Sequence, residues 1–165
     1  MVAQHDLGPV IDDHPFFRGI DGKLRALLVG CAANERFDAG AFLTREGEPA
    51  NKFYLIRAGQ VAVEIDAPGR RPIIIETLGE GDVTGWSWIV EPYRSTFDVR
   101  ATSLVRVISF DGKCLRGKMD TDPALGYEVM QRFVRMMAHR LAGARLQLLD
   151  LYGPHPGAGR REREA

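Results

Sequence analysis

The stretch that decides the fold runs from Asn34 to Ile65 and reads NERFDAGAFLTREGEPANKFYLIRAGQVAVEI. Short apolar segments follow one another in it, and glycine-containing turns separate them. Alternation is clearest at its end, where Val61, Val63 and Ile65 share one face of a strand and polar residues fall on the other. This pattern predicts short, half-buried β-strands.

The same punctuated pattern continues outward as far as Phe110. The candidate strands are residues 35–37, 41–45, 52–57, 60–65, 72–78, 97–101 and 104–110. Short strands at this spacing are typical of an all-β barrel or sandwich. We therefore predict a mainly β protein with flanking helices, whose barrel over about 34–110 is a double-stranded β-helix, or jelly roll.

Segments whose apolar residues have helical spacing lie before and after the predicted barrel. Asp21 can cap a short helix that ends near Gly30, and a second short helix is predicted over 111–119. Asp122 and Pro123 start a long helix over about 122–152. Its apolar stripe consists of Leu125, Val129, Phe133, Met137, Leu141, Ala144, Leu148 and Leu151.

A helix of that length overhangs a small barrel, so its stripe needs a second surface. We predict that residues 122–152 pair with the same helix of a second copy in a homodimer. The alternative is that the helix folds back on its own barrel. Residues 1–13 are expected to form a flexible leader, 14–152 the domain, and 153–165 a disordered tail.

Composition restricts the function of the chain. Its 165 residues carry 22 Lys plus Arg and 22 Asp plus Glu, so the formal net charge is zero. DNA-binding domains usually carry a basic excess, and no recognition helix follows the long helix, so we expect no direct DNA binding. No apolar run approaches the length of about 20 residues that crosses a bilayer, so we expect no membrane segment.

Histidine and cysteine positions argue against catalysis and metal binding. The four histidines, at positions 5, 14, 139 and 155, all lie outside the predicted strands, where a metal-binding barrel would carry them. We predict no metal site and no enzymatic activity. Cys31 and Cys114 are expected to be reduced, buried thiols of a cytoplasmic protein, although a single disulfide is the alternative.

Two glycine motifs carry a resemblance to a known family. The segment 37–63 and the later run Leu78-Gly-Glu-Gly-Asp-Val-Thr-Gly85 resemble the cyclic nucleotide-binding domain, and in particular the sensor half of Crp/Fnr-type regulators. The resemblance covers residues 14–152 and implies the jelly roll, the dimerisation helix and a cytoplasmic regulator. It also implies cAMP, cGMP or another small anion as a ligand, with no cofactor.

In that family the phosphate-binding segment follows the glycine that matches Gly85. A helix start and an arginine there can neutralise a cyclic phosphate. The resemblance therefore implies the ligand-binding candidates Gly85, Trp86, Ser87, Arg94, Ser95 and Thr96, to which Arg145 on the long helix is added.

This chain departs from the family pattern at two places. Trp86 stands where the family has a glutamate, and an indole cannot accept a hydrogen bond from a ribose hydroxyl. Arg94 lies seven residues before Ala101 instead of six, and a one-residue slip on a strand reverses the face. Either Trp86 or Trp88 stacks on a ligand ring, or the two indoles fill the pocket as core.

Two classes of function remain open. The first is a non-catalytic sensor domain that binds a small anion and signals through the dimer helix to an unknown protein partner. The alternative is a ligand-free interaction or scaffold module. Arg100 and Arg106 lie on predicted strands, where we expect a solvated face or a structural ion pair instead of a ligand contact.

Overall fold

The computed structural model describes residues 6–153. Its elements follow in chain order, and all strand pairs are antiparallel. The helices are α1 (Gly8–Asp13), α2 (Gly22–Val29), α3 (Gly112–Thr121) and α4 (Pro123–Tyr152). The strands are β1 (Ala32–Phe37), β2 (Phe42–Thr44), β3 (Lys52–Ala58), β4 (Val61–Ile65), β5 (Ile73–Leu78), β6 (Val83–Thr84), β7 (Asp98–Ala101) and β8 (Val105–Asp111).

The strands form two four-stranded sheets, which we call sheet A (β1-β8-β3-β6) and sheet B (β2-β7-β4-β5). One apolar cluster contains residues of both sheets, including Ile56 and Val107 of sheet A and Val61 and Val99 of sheet B. Side chains of alternate residues on these strands point into this cluster. The predicted jelly roll with flanking helices is confirmed.

Every predicted strand is present, within a few residues of its expected ends. Only β6 was missed, because its two residues lie within the glycine-rich segment 79–85 and show no alternation of their own. The predicted cap at Asp21 is present, since its side chain accepts a hydrogen bond from the Lys23 amide. Asp111 also caps α3, which the sequence did not predict, by accepting a hydrogen bond from the Cys114 amide. Both bonds satisfy amides that the first helical turn leaves without a partner.

The expected flexible leader is wrong in its described part. Residues 8–13 form α1, and Ile11 is completely buried. Pro9 lies in the first turn of this helix, where its missing N–H costs nothing. Asp12 also forms an ion pair with Arg25 of α2. The tail beyond Gly153 lies outside the described residues, so its predicted disorder stays a prediction.

The expected free thiols are also wrong. The Sγ atoms of Cys31 and Cys114 are 2.06 Å apart and form a disulfide. The sheet explains the pairing, because Cys31 immediately precedes β1 and Cys114 follows β8, the strand that pairs with β1. The Asp111 amide also donates to the Cys31 carbonyl oxygen, which holds the two chain segments side by side.

The long helix α4 begins at Pro123, as predicted, and the Asp122 side chain accepts a hydrogen bond from the Leu125 amide. The chain divides after Val129 into two compact units, so the second unit begins within α4. The first part of the apolar stripe is buried and the later part is exposed. Its exposed large members are Met137, Leu141, Leu148 and Leu151.

Candidate functional site

The candidate site begins where β6 ends at Gly85. This glycine has a φ of 85°, which side chains disfavour, and a Cβ there would lie 3.0 Å from the Lys52 carbonyl oxygen. Gly85 therefore lets the chain turn away from β3 at close range. A short 3-10 helix, Ser87–Ile89, follows directly. We call residues 85–96 the cassette.

Trp88 belongs to the core. Its side chain is fully buried, and its ring stacks on Phe53 of β3 with 5.0 Å between the centroids. On another side, α3 approaches so closely that a Cβ at Gly112 would lie 3.0 Å from the Trp88 Cβ. The suggestion that Trp88 stacks on a ligand is therefore not supported. Trp86 is only half-buried, and it remains the indole that a ligand could reach.

The end of the cassette is bound to the loop between β2 and β3. The Gly47 amide donates to the Ser95 carbonyl oxygen at 2.8 Å, and the Ser95 amide donates to Glu48 at 2.9 Å. The Ala50 amide donates to the Tyr93 carbonyl oxygen at 2.7 Å. These three backbone hydrogen bonds hold Tyr93 and Ser95, the two neighbours of Arg94, against that loop.

Arg94 and Ser95 differ in exposure. Arg94 is exposed, and its guanidinium donates to the Gly47 carbonyl oxygen at 2.8 Å, which holds it at the rim of the loop. Ser95 is buried, and its hydroxyl makes no hydrogen bond within the described residues. Farther along, Phe97 and Val99 pack against the barrel core.

The two ends of the cassette also meet through side chains. The Ser87 and Thr96 hydroxyl oxygens are 3.1 Å apart, within hydrogen-bond distance. Ser87 is buried and Thr96 is exposed. Six of the seven predicted ligand-binding residues lie in the cassette, and the Ser87–Thr96 contact brings its two ends together. Arg145 lies on the exposed part of α4 in the second unit, and its role stays a prediction.

Sequence reasoning missed Arg116 of α3. Its guanidinium donates to the Trp88 carbonyl oxygen and lies over the Tyr93 ring, with 4.1 Å from Cζ to the ring centroid. Both contacts stabilise the cassette from outside the barrel. Nothing in the local sequence could have revealed them, because they depend on how α3 packs against the 3-10 helix.

Arg100 forms an ion pair, which is one of the two alternatives that the sequence left open. Its Nε donates to both carboxylate oxygens of buried Glu64, at 3.1 and 3.2 Å. These hydrogen bonds, followed by the charge of Glu64, raise the pKa of Arg100. In the barrel interior, burial and then Glu35 raise the pKa of Tyr54 to about 12, and its hydroxyl donates to Leu43. Neither arrangement leaves a catalytic base.

Within residues 6–153 no group of three or more His, Cys, Asp or Glu side chains is placed to hold a metal ion. No described helix is both long enough and apolar enough to span a bilayer.

The sequence profile of the cyclic nucleotide-binding domain matches residues 34–122, more than half of the chain. The chain belongs to this family. A curated relative is the CRP-like cAMP-activated global transcriptional regulator of Mycobacterium tuberculosis, which is 28% identical over 135 residues. The match covers 82% of this chain and 58% of that regulator, so the chain spans little more than half of the relative's length.

Solved structures share the fold. A cyclic nucleotide-binding domain from Methylobacillus flagellatus has a TM-score of 0.74 at 17% identity, covering 92% of this chain and 85% of that one. The regulatory domain of Toxoplasma gondii PKA, solved with cAMP, has a TM-score of 0.66 at 20% identity and covers 80% of this chain and 48% of that one. At these identities the likeness shows the fold alone.

Proposed function

We propose that the domain is a non-catalytic sensor whose cassette binds a small anionic molecule, with cAMP and cGMP as the first candidates. The observation that carries this proposal is the placement of Ser95. The residue is 9% exposed, and its hydroxyl makes no hydrogen bond within the described residues. The hydroxyl is therefore available to donate a hydrogen bond to a ligand oxygen, and such a bond to a charged group would add to binding.

Two neighbouring groups add to the attraction for an anion. The amides of Trp86 and Ser87 lie at the start of the 3-10 helix and have no carbonyl partner within it. Arg94 is held beside Ser95 through the Gly47 carbonyl oxygen, and its remaining N–H groups are free to donate to a phosphate. The half-buried ring of Trp86 provides a surface for a base.

The ligand claim is tested by calorimetric titration of cAMP and cGMP into the purified domain. We expect saturable heat with at least one of them. Because hydrogen bonds to charged groups contribute about 1.5–3 kcal/mol, Ser95→Ala and Arg94→Gln should each weaken binding about tenfold or more. Arg70→Gln, at an exposed turn remote in sequence, is the control and should bind like the wild type. If neither nucleotide gives heat of binding at millimolar concentration, cyclic nucleotides are excluded as ligands.

The two tryptophans give an independent readout. In a Trp88→Phe variant the remaining emission comes from half-buried Trp86, and we expect nucleotide to shift it. In a Trp86→Phe variant only buried Trp88 emits, and the spectrum should stay blue and unchanged. A response from Trp88 alone would contradict the assignment of Trp86 as the contact.

We further propose that α4 transmits the signal as a homodimer. Its later half exposes large apolar side chains, and Leu141 and Leu151 are 54% and 74% exposed. A second copy is a partner with a matching apolar surface. Leu141→Glu should shift the mass in solution from dimer to monomer, whereas Gln147→Glu on the same helix should not. A monomeric wild type would refute the dimer.

The alternative function is a ligand-free interaction module. The packing of Trp88 favours it, since that indole fills space in the core instead of lining a cavity. A dimer that gives no heat and no Trp86 response with any nucleotide would support this function. The cytoplasmic location stays a prediction, and the disulfide weighs against it because cytosolic thiols are usually kept reduced.

A further inference from the structure

A shallow groove on the outer face of sheet A collects three arginines. Its volume is about 270 Å³, and it is lined by Asn34, Glu35, Arg36, Arg57, Arg106 and Val107. The arginines belong to three neighbouring strands: Arg36 to β1, Arg106 to β8 and Arg57 to β3. We call this feature the arginine groove.

The sheet register brings the three guanidinium groups together. Arg36 pairs directly with Arg106 across β1 and β8, so their side chains share one face. The register between β3 and β8 shifts between Ile56 and Ala58, which makes Arg57 the additional residue of a bulge beside Arg106. Bulges redirect side chains, and here one adds a third positive charge to the row.

Carboxylates compensate this charge only weakly. The Arg106 side chain makes no ion pair or hydrogen bond within the described residues, and Arg57 donates to the neutral Asn34 side chain. Arg36 pairs with Asp38, but both side chains are mostly exposed, and such pairs contribute little.

Glu35 is the other acidic residue at the groove, and its carboxylate is already engaged. It forms an ion pair with Lys52 and accepts a hydrogen bond from Ser109 at 2.8 Å. It therefore does not neutralise the arginine row. Like charges directly opposite each other in a sheet are destabilising, so an anion bound between Arg36 and Arg106 would offset their repulsion.

We propose that the arginine groove is a second anion site, and that it takes a diphosphate group. Adjacent strands lie about 4.8 Å apart, so the row spans about 10 Å across three strands, which suits two linked phosphates better than one. Guanidinium groups bind phosphate oxygens in pairs, and this geometry favours arginine over lysine for such ligands.

The groove is separate from the cassette. Gly85 lies against Lys52 and Phe53 at the start of β3, whereas Arg57 lies near its end. A separation of four to five residues along a strand is about 13–17 Å. Ligand binding at the groove therefore does not rest on the proposed function of the cassette.

The test is calorimetric titration of inorganic pyrophosphate into the purified chain at low ionic strength, with ADP and inorganic phosphate as comparison ligands. We expect pyrophosphate and ADP to bind and phosphate to bind more weakly. Arg106→Gln and Arg57→Gln should each weaken pyrophosphate binding about tenfold or more, because each removes a charged hydrogen-bond donor. Arg71→Gln, an exposed arginine between β4 and β5, is the matched control.

Thermal unfolding, measured with and without pyrophosphate, is a second readout. Arg106→Gln relieves the repulsion with Arg36, so the variant should be at least as stable to heat as the wild type without ligand, while pyrophosphate should raise its melting temperature less than that of the wild type. Equal losses of pyrophosphate affinity in the Arg71→Gln and Arg106→Gln variants would overturn the proposal, as would the absence of binding by the wild type at millimolar pyrophosphate. If the chain bound hexaglutamate but did not bind pyrophosphate, the proposal would also be overturned, and the groove would be identified as a site for acidic peptides.

Discussion

The ring planes of Trp88 and Phe53 are 19° apart, so the indole lies nearly flat on a side chain of the central β3 strand. Phe53 in turn stacks on Phe110 at 4.6 Å between centroids. The cassette is therefore fixed to the barrel by an aromatic stack. This contact makes the cassette part of the folded core instead of a loose surface loop.

Replacement of Trp88 by alanine should strongly destabilise the domain. Truncation of a buried aromatic side chain costs about 3–5 kcal/mol, because contacts are lost and a cavity remains. The free energy of unfolding should be measured by urea titration and circular dichroism, which does not depend on the lost indole. Trp86→Ala, at a half-buried position, is the control and should cost less than half as much. Similar losses for both would show that Trp88 is not the anchor.

Acidification should weaken the fold through His14. Its Nδ1 accepts from the Phe16 amide and its Nε2 lies 3.3 Å from the Ile56 carbonyl oxygen, an arrangement that suits the neutral ring. Burial is the largest influence and lowers the pKa of His14 below 6.5. The hydrogen bond to Ile56 and the charge of Asp82 raise this pKa, and the charge of Arg18 lowers it, so the net effect is a decrease.

The sign of the pH effect follows from this shift. The unfolded chain takes up the proton first, so this contribution to stability is complete above about pH 6.5 and falls as the pH drops towards the lower folded pKa. Urea titrations at several pH values should show the fall. It should be reduced in His14→Gln and retained in His139→Gln, whose side chain is exposed. A wild-type profile in His14→Gln would contradict the assignment.

Reduction of the disulfide should lower stability. The bridge joins residues 83 apart in sequence, and closing a loop of that size typically contributes about 2–4 kcal/mol. The melting temperature should therefore fall when dithiothreitol is added. A variant with serine at positions 31 and 114 should melt at the lower temperature with or without the reductant. Equal melting of oxidised and reduced wild type would show that the bridge contributes nothing.

Two glycines provide a matched pair for the effect of packing. Gly59 and Gly69 both have positive φ, but a Cβ at Gly59 would lie 2.1 Å from the Leu104 carbonyl oxygen, whereas Gly69 has open space. Gly69→Ala should cost about 1 kcal/mol for its backbone conformation alone. Gly59→Ala should cost clearly more, measured by urea titration, because backbone atoms must also move. Equal costs would mean that the β3–β4 turn adapts freely.

The sequence predicted the barrel well because alternation and turn residues are local signals. Strand β4 shows this for Val61 and Val63, which lie in the core cluster as predicted. The predicted alternation fails beyond them, because the register shifts after Val63, so that Glu64 is buried and Ile65 is exposed. The helix starts at Asp21 and Asp122 were equally local. Strand β6 and helix α1 lack such signals: β6 has two residues, and α1 is stabilised by its packing against α2.

The site was only partly predictable. The cassette residues came from the glycine pattern, yet the division between buried Trp88 and half-buried Trp86 depends on Phe53 and Gly112, which are distant in sequence. The disulfide was not the favoured prediction for a related reason. The expected cytoplasmic location favoured reduced thiols, and only the pairing of β1 with β8 shows that the two cysteines lie close together. Contacts between elements decide these features.

The disulfide also closes a covalent ring around the β-structure. The ring runs from Cys31, one residue before β1, to Cys114, three residues after β8, so it contains all eight described strands. A tryptic cut after exposed Arg70 would therefore leave both fragments attached, and they would migrate separately only on a reducing gel. Backbone scission in any loop of the barrel opens the ring without dividing the molecule.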